Sequence, residues 1–406
     1  MGFRITNAMM YQRTVRDLNS RNLDVDRYSR QSETGDKFQY ASEDPVGMSS
    51  KIKLSAEISA YTQYDVNAGY AIDSLGLEET ALNSIESSLQ RANVLMISGE
   101  NGAYSIDERK AIAVELSEIK DEVASYMNTR NASGEYIFSG SLGDTVPYTE
   151  NPETGLWSYQ GDSSQRSVNA SPSVKVAVSD PGDSIFSVPL PRSVSLGKDD
   201  KAAIEYTGTS DFSTWYNQNY KTNTDDAEEK KANTLSVSVT GDSYTIKNAD
   251  GEEIAKGAYS DGGDIEFHGL TLHTEKGYAG GTIELEPPEN DNILNTLQRV
   301  IDALNDPAVT GDNLREALDR GQIHNLATLQ SAGQALGRIG GRSNIAESVI
   351  SSNDDIRDVK KEARATIAEA DSVESASNLI QAQNALSMAQ RTFSMISQTS
   401  LMDYIS

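Results

Sequence analysis

Apolar positions recur at helical spacing along both ends of the chain and at strand spacing along its middle. Ala8, Tyr11, Val15, Leu18, Asn22, Val25 and Ser29 follow a 3-4 rhythm, which puts them on one weakly apolar seam of a first helix. Asp44-Pro45 reads as the N-cap and first residue of a second helix. Its seam passes through Leu54, Ile58, Tyr61, Asp65, Ala68, Ile72, Leu75, Glu79, Leu82, Glu86, Leu89, Asn93 and Met96. At 1.5 Å per residue that is roughly 65 Å of helix. Ser105 and Glu108 have the spacing of a capping box and open a third helix, which is expected to bury Ile112, Leu116, Ile119, Val123 and Tyr126.

The far end mirrors the near one. Leu294, Leu297, Ile301 and Leu304 predict a short amphipathic helix that stops near Pro307. A longer helical pattern starts near Asp312 and runs through Gly333, Gly337, Gly340 and Gly341. The last helix has the clearest seam: Leu379, Ala382, Leu386, Ala389, Phe393 and Ile396. Between the helical ends, Leu235–Val239 and Ser243–Lys247 alternate as strands, with a turn at Asn248–Gly251. Ser173–Val178, Ile185–Val188, Ile265–Leu270 and Thr282–Glu286 read as further strands. Residues 198–231 have no clear period and are compatible with a loop, a small helix or part of a second lobe.

Proline and glycine sharpen that division. Eight of ten prolines and fifteen of thirty glycines fall between residues 141 and 290, so helices belong to the flanks. The expected fold is α+β: a long antiparallel helical coiled coil or bundle built from both terminal segments, with a mainly β domain inserted between them. Residues 1–44 with 355–406 are the terminal helices, 45–140 with 289–354 a helical bundle, and 141–288 an outer β domain of one or two lobes. Isolated helices are marginal in water, so a half-polar seam calls for a partner.

The net charge of −26 argues against nucleic acid and anionic membrane as partners. Residues 141–290 carry 25 acidic and 11 basic side chains, whereas residues 1–60 carry 8 and 9, so the acidity belongs to the middle. Cysteine is absent, which removes disulfides and thiolate chemistry together. No run of about 18 apolar residues offers a membrane span, and Met1–Asn7 has no apolar signal-peptide core. His268, His273 and His324 lack zinc spacing, and no phosphate loop or nucleophile elbow is present. Asp180/Asp183 and Asp261/Asp264 read as turn chemistry, and no cofactor, metal or catalytic site is expected.

Particular residues carry a family resemblance. Phe3–Tyr11, Asp44-Pro45-Val46, Asn67, Leu75, Glu79, Ala81, Leu82 and Leu89-Gln90-Arg91 resemble the N-terminal region shared by flagellins and the hook-associated protein 3 family. Glu135–Ser141 with Pro147-Tyr148, and then Trp157–Asp162, are similar to the junction segment of the latter. Phe267–Leu270, Gly280-Gly281, Leu285–Pro287, Gln383–Leu386 and Ser400–Ile405 continue the likeness. It covers roughly residues 1–160 and 263–406.

The resemblance implies a non-enzymatic adaptor at the hook–filament junction of the bacterial flagellum, with a flagellin as the alternative. It implies export without a cleaved signal peptide, through the flagellar type III channel with a chaperone, to the extracellular flagellum. The implied partners are hook-associated protein 1, flagellin and further copies of the chain in a ring. The seams then make Tyr11, Val15, Leu18, Val25, Leu379, Leu386, Phe393, Ile396 and Leu401 the expected assembly interface. Seams this rich in Asn, Ser and Ala are expected to order only when neighbours supply the missing face.

Overall fold

The structure, a computed structural model, describes residues 7–100, 104–197, 201–223 and 225–405. Its helices are α1 (Asn7–Thr34), α2 (Pro45–Gly99), α3 (Ile106–Met127), α4 (Asp183–Phe186), α5 (Thr209–Asn219), α6 (Asp226–Ala232), α7 (Ile293–Asn305), α8 (Asp312–Ala368) and α9 (Ser372–Ile405). The strands are β1 (Tyr148–Glu150), β2 (Trp157–Tyr159), β3 (Ser167–Asn169), β4 (Lys175–Ala177), β5 (Ser187–Pro189), β6 (Val194–Leu196) and β7 (Ala202–Tyr206). Then follow β8 (Thr234–Thr240), β9 (Ser243–Lys247), β10 (Glu253–Ala258), β11 (Asp264–Phe267), β12 (Leu270–Thr274), β13 (Gly280–Leu285) and β14 (Asn290–Asn292). Long helices flank a β-rich middle, as the patterning predicts. The chain divides into two compact units. One runs to Ala68, takes in Asn169–Val174 and resumes at Glu347; the other comprises Gly69–Val168 and Lys175–Ala346.

In the second unit a helical core forms where apolar rows meet. Leu75, Leu82, Leu89 and Met96 are all buried at heptad intervals on α2, as is Ala68 at the end of the first unit's share of that helix. The companion row lies at Ala71, Glu78, Ile85 and Ala92, three residues on from the first. The sequence pattern placed it four residues on, but Glu79 is exposed and Ile72, Glu86 and Asn93 are only half-buried. Ile85 decides the register, because burying it offers more apolar area than burying Glu86.

Ser105 caps α3 through the reciprocal capping box with Glu108. Its Leu116, Ile119 and Val123 are buried, while Ile112 and Tyr126 are half-buried. The α7 stripe of Leu294, Leu297, Ile301 and Leu304 is buried throughout. Arg109 of α3 donates to the carbonyls of Ala303 and Asp306 at 2.8 and 3.1 Å, satisfying the end of α7. On α8, Gly321 allows close approach: a Cβ there would lie 2.5 Å from Val300 Cγ2.

The β region is antiparallel. β10-β9-β8-β13-β6 form a five-stranded sheet and β11-β12-β7 a three-stranded one. Phe212, Trp215 and Tyr216 of α5 pack with Ile246, Ile265, Leu272 and Ile283 as the core. Residues 201–231, unassigned by pattern, thus supply β7 and two helices. Two predicted strands differ. Ile265–Leu270 is a hairpin whose turn is His268-Gly269, with φ of 44° and 80°. Ile185-Phe186 closes the one-turn helix α4 and is buried, with β5 beginning only at Ser187.

The acidic pairs read as turn chemistry do other work as well. Asp264 and Glu205 flank His273, at 2.9 Å from Nδ1 and 2.7 Å from Nε2. Those two hydrogen bonds raise the His273 pKa above 6.5. A raised pKa gives stability that is present below about pH 6.5 and lost as pH rises through the folded value. His273→Gln is therefore expected to flatten this part of the melting profile above pH 6.5, which calorimetry at several pH values would read.

Candidate assembly surface

The first unit is built around the meeting of the two ends of the chain. α1 packs along α9, and Tyr11 lies against Phe393 with ring centroids 5.4 Å apart, inclined at 45°. Val15, Leu18 and Val25 are half-buried, as are Leu379, Leu386 and Phe393; Tyr11 remains 48% exposed. The side chains of Ile396 and Leu401 lie outside the described residues. The tightest points on α9 are Ser375 and Ala382, both buried. They stand seven residues apart, and Ala389 follows after another seven. Ala382 and Ala389 belong to the seam read from the sequence; Ser375, a polar residue, is the position that an apolar pattern overlooks. Asn22 lies within the sequence seam of α1 yet is exposed.

Below this pair the chain is fastened by backbone. Gly35 takes φ of 73°, and an isolated bridge links Asp36 to Glu369. Lys37 N donates to Ala368 O at 2.7 Å and Ala370 N to Gly35 O at 2.8 Å. The predicted N-cap forms, with Asp44 Oδ1 accepting from Gly47 N at 2.8 Å. Gly47 is required, since a Cβ there would meet Phe38 Cε1 at 2.8 Å. Charged pairs then hold α2 to α8. Lys360 reaches Glu57 at 2.6 Å, its hydrogen bond lowering the Glu57 pKa, and Arg357 pairs with Asp65. Asn353 Nδ2 donates to Asp65 Oδ1 and to Ala170 O at 3.0 and 2.8 Å.

The opposite faces of the α1–α9 pair are apolar too. On α9, Val373, Ile380 and Met388 are 78%, 60% and 69% exposed, about half a turn from Leu379, Ala382 and Leu386. On α1, Leu23 is 68% exposed. Two helices that spend one face on each other and leave another bare are suited to a larger helical array.

A sequence profile of the bacterial flagellin N-terminal helical region matches residues 5–142. Flagellar hook-associated protein 3 of Escherichia coli is 29% identical over 183 residues, covering 45% of this chain and 56% of the relative. The Salmonella typhimurium protein of the same name is 26% identical, covering 36% and 46%. Over these stretches the chain is similar to flagellar hook-associated protein 3. Its matched stretch spans about half the length of those relatives.

Among solved structures, flagellar hook-associated protein 3 of Legionella pneumophila superposes with a TM-score of 0.59 at 24% identity. It covers 77% of this chain and 98% of its own. FlgL of Xanthomonas campestris gives 0.54 at 20% identity, covering 77% and 97%. These likenesses establish the fold.

The junction-like segment has a packing rationale of its own. Tyr136 through Gly140 are all buried, and Gly140 takes φ of 70°. A Cβ there would stand 2.1 Å from Asp162 Oδ1. Gly161 is constrained likewise, 2.7 Å from Ser139 O. The Phe138 ring meets Phe186 edge-on at 5.3 Å. The two sequence motifs, Glu135–Ser141 and Trp157–Asp162, are therefore two sides of one packed joint. No helix among the described residues is long and apolar enough to cross a membrane, and no group of three or more His, Asp or Glu is placed to hold a metal.

Proposed function

We propose that this chain is a structural subunit of the bacterial flagellum that joins hook to filament, assembling through α1 and α9. The observation that carries the reading is the bare apolar outer face of that two-helix pair. Val373, Ile380, Met388 and Leu23 expose surface that water disfavours and that neighbouring helices would cover. Tyr11, Val15, Leu18, Val25, Leu379, Leu386 and Phe393 hold the pair together, and the sequence alone adds Ile396 and Leu401 to the proposed interface. Copies of this chain form a ring seated on hook-associated protein 1, and flagellin stacks on the ring. A chaperone keeps the chain unfolded for type III export to the cell exterior. The reading assigns no catalysis and no cofactor.

The flagellin N-terminal profile and a flagellin of Clostridium tyrobutyricum, 25% identical over 137 residues, make a filament subunit the second reading. Location separates the two. In a motile strain lacking its own junction protein, this chain should restore swimming, and gold-labelled antibody should mark one band between hook and filament. Label along the whole filament would favour the flagellin reading; no incorporation would end both.

A further inference from the structure

Glu78 stands in the companion row of α2 and is fully buried, an unusual place for a carboxylate. Its Oε1 accepts from the backbone N of Asp180 at 3.1 Å. Its Oε2 is buried and has no hydrogen-bond partner. Asp180, 2% exposed, repeats the situation. Oδ1 accepts from Arg342 at 2.8 Å and from Gln165, while the buried Oδ2 has no hydrogen bond and Arg338 Nε stands 3.6 Å away. Each side chain thus leaves one buried carboxylate oxygen without a hydrogen bond, and the two residues are joined through the backbone N of Asp180. A buried acceptor without a donor is costly, and one proton shared between the two carboxylates would supply the missing donor.

Charge points the same way. The groups facing Glu78 are Asp180 from the 178–182 loop and Arg338 and Arg342 from α8. Arg342 is 19% exposed and neutralises Asp180, whereas Arg338 is 43% exposed and beyond hydrogen-bond reach. Arg166, nearby, is engaged by Glu135 at 3.0 Å and Ser179 at 3.4 Å. Among the described residues no Lys or Arg forms an ion pair with Glu78, and Arg342 and Arg338 act on it only at longer range.

We propose that Glu78 is held as the neutral acid and that its Oε2–H donates to Asp180 Oδ2, a one-proton clamp between α2 and the 178–182 loop that loosens when the proton is lost to solvent. Burial, then the Asp180 charge, pushes the Glu78 pKa up to about 8. The clamp bears on the packed joint described above. Gly182 N in this loop donates to Phe138 O at 2.8 Å, and a Cβ on Gly182 would meet Tyr148 at 3.0 Å. Fixing Asp180 therefore fixes the backbone against which Tyr136–Gly140 pack. Alkaline conditions would release that joint first.

Glu78→Gln keeps the shape and supplies a permanent donor to Asp180. Because the folded pKa is raised, wild type loses stability between about pH 4.5 and 8 while the variant does not. The folding equilibrium constant of the variant relative to wild type, taken from denaturant unfolding of the full chain, should rise on the order of a thousandfold between pH 5 and 9. An unchanged ratio would overturn the proposal. Infrared spectra of the native chain with carboxyl-labelled glutamate supply an independent readout. A protonated-carboxyl band should be present at pH 7 and absent at pH 10; its absence at pH 7 would overturn the proposal even if the variant fails to fold.

Discussion

Ala382→Asp, Leu386→Asp and Phe393→Asp are each expected to abolish incorporation into the flagellum while leaving the second unit folded. Ala382 is buried, Leu386 is half-buried, and the Phe393 ring lies tilted against Tyr11 of α1. A carboxylate at any of these points must be desolvated against apolar side chains or force the helices apart. Either route costs about 3 kcal/mol or more. That is over a hundredfold in an association constant, and it applies to every copy in the assembly. The core of the second unit contains none of these residues. Its melting transition should therefore be retained, which near-ultraviolet circular dichroism would show, while swimming and export-to-filament incorporation fail together. Normal swimming by the Ala382→Asp strain would sink the assembly reading of α9. Ile380→Ser and Met388→Ser probe the bare face instead. They should leave the α1–α9 pair intact and weaken assembly, a combination that a purely intramolecular role for α9 cannot produce.

What could be read ahead of the structure follows from how local each signal is. The capping box at Ser105 and the N-cap at Asp44 are short-range, and both form as written. The α7 stripe is dense and lies on one face, so all four of its predicted residues are buried. The second row on α2 was misplaced by one residue because a 3-4 heptad allows either spacing. Packing chooses between Glu78 and Glu79: Ile85 takes the buried place, and Glu78, seven residues before it, is carried into the same row. His268 concealed the β11–β12 turn because a histidine in an otherwise alternating run looks like a strand residue. The informative neighbour was Gly269, whose positive φ suits the second turn position. Ile185-Phe186 looked like strand because a short apolar run has no distinguishing period. The residues that pack α1 against α9 were legible as a seam, but Ser375 and the bare face of α9 were not, since exposure of apolar residues is a fact of packing. Gly140 and Gly161 were recognisable as parts of motifs, and the close approaches to Asp162 and Ser139 supply the reason they are glycine.

His324→Ala is expected to cost the second unit about 2–4 kcal/mol, through a cavity and two abandoned partners. The ring is fully buried on α8, with Nδ1 2.8 Å from Thr296 Oγ1 on α7 and Nε2 3.1 Å from Val188 O on β5. One imidazole thus ties a helix, a neighbouring helix and the strand that leads into the β region. The arrangement fits a neutral ring that donates from Nε2 to the carbonyl and accepts from the threonine hydroxyl. Burial lowers its pKa below 6.5, so the unfolded chain takes up a proton first as the solution is acidified. Stability from this site is therefore present above about pH 6.5 and declines as pH falls toward the lowered folded value. His324→Gln, which keeps one donor and one acceptor without titrating, should lose less than the alanine variant at pH 7. Its deficit relative to wild type should shrink by pH 5, a comparison that urea unfolding at the two values would make. Glu78 drives wild type the opposite way across the same interval, gaining stability as pH falls from 8 toward 4.5. Below about pH 6.5 the two contributions therefore oppose each other in the absolute profile of wild type. Only the paired variants separate them: a deficit for His324→Gln that stays constant from pH 7 to 5 would show that the ring is already charged in the fold.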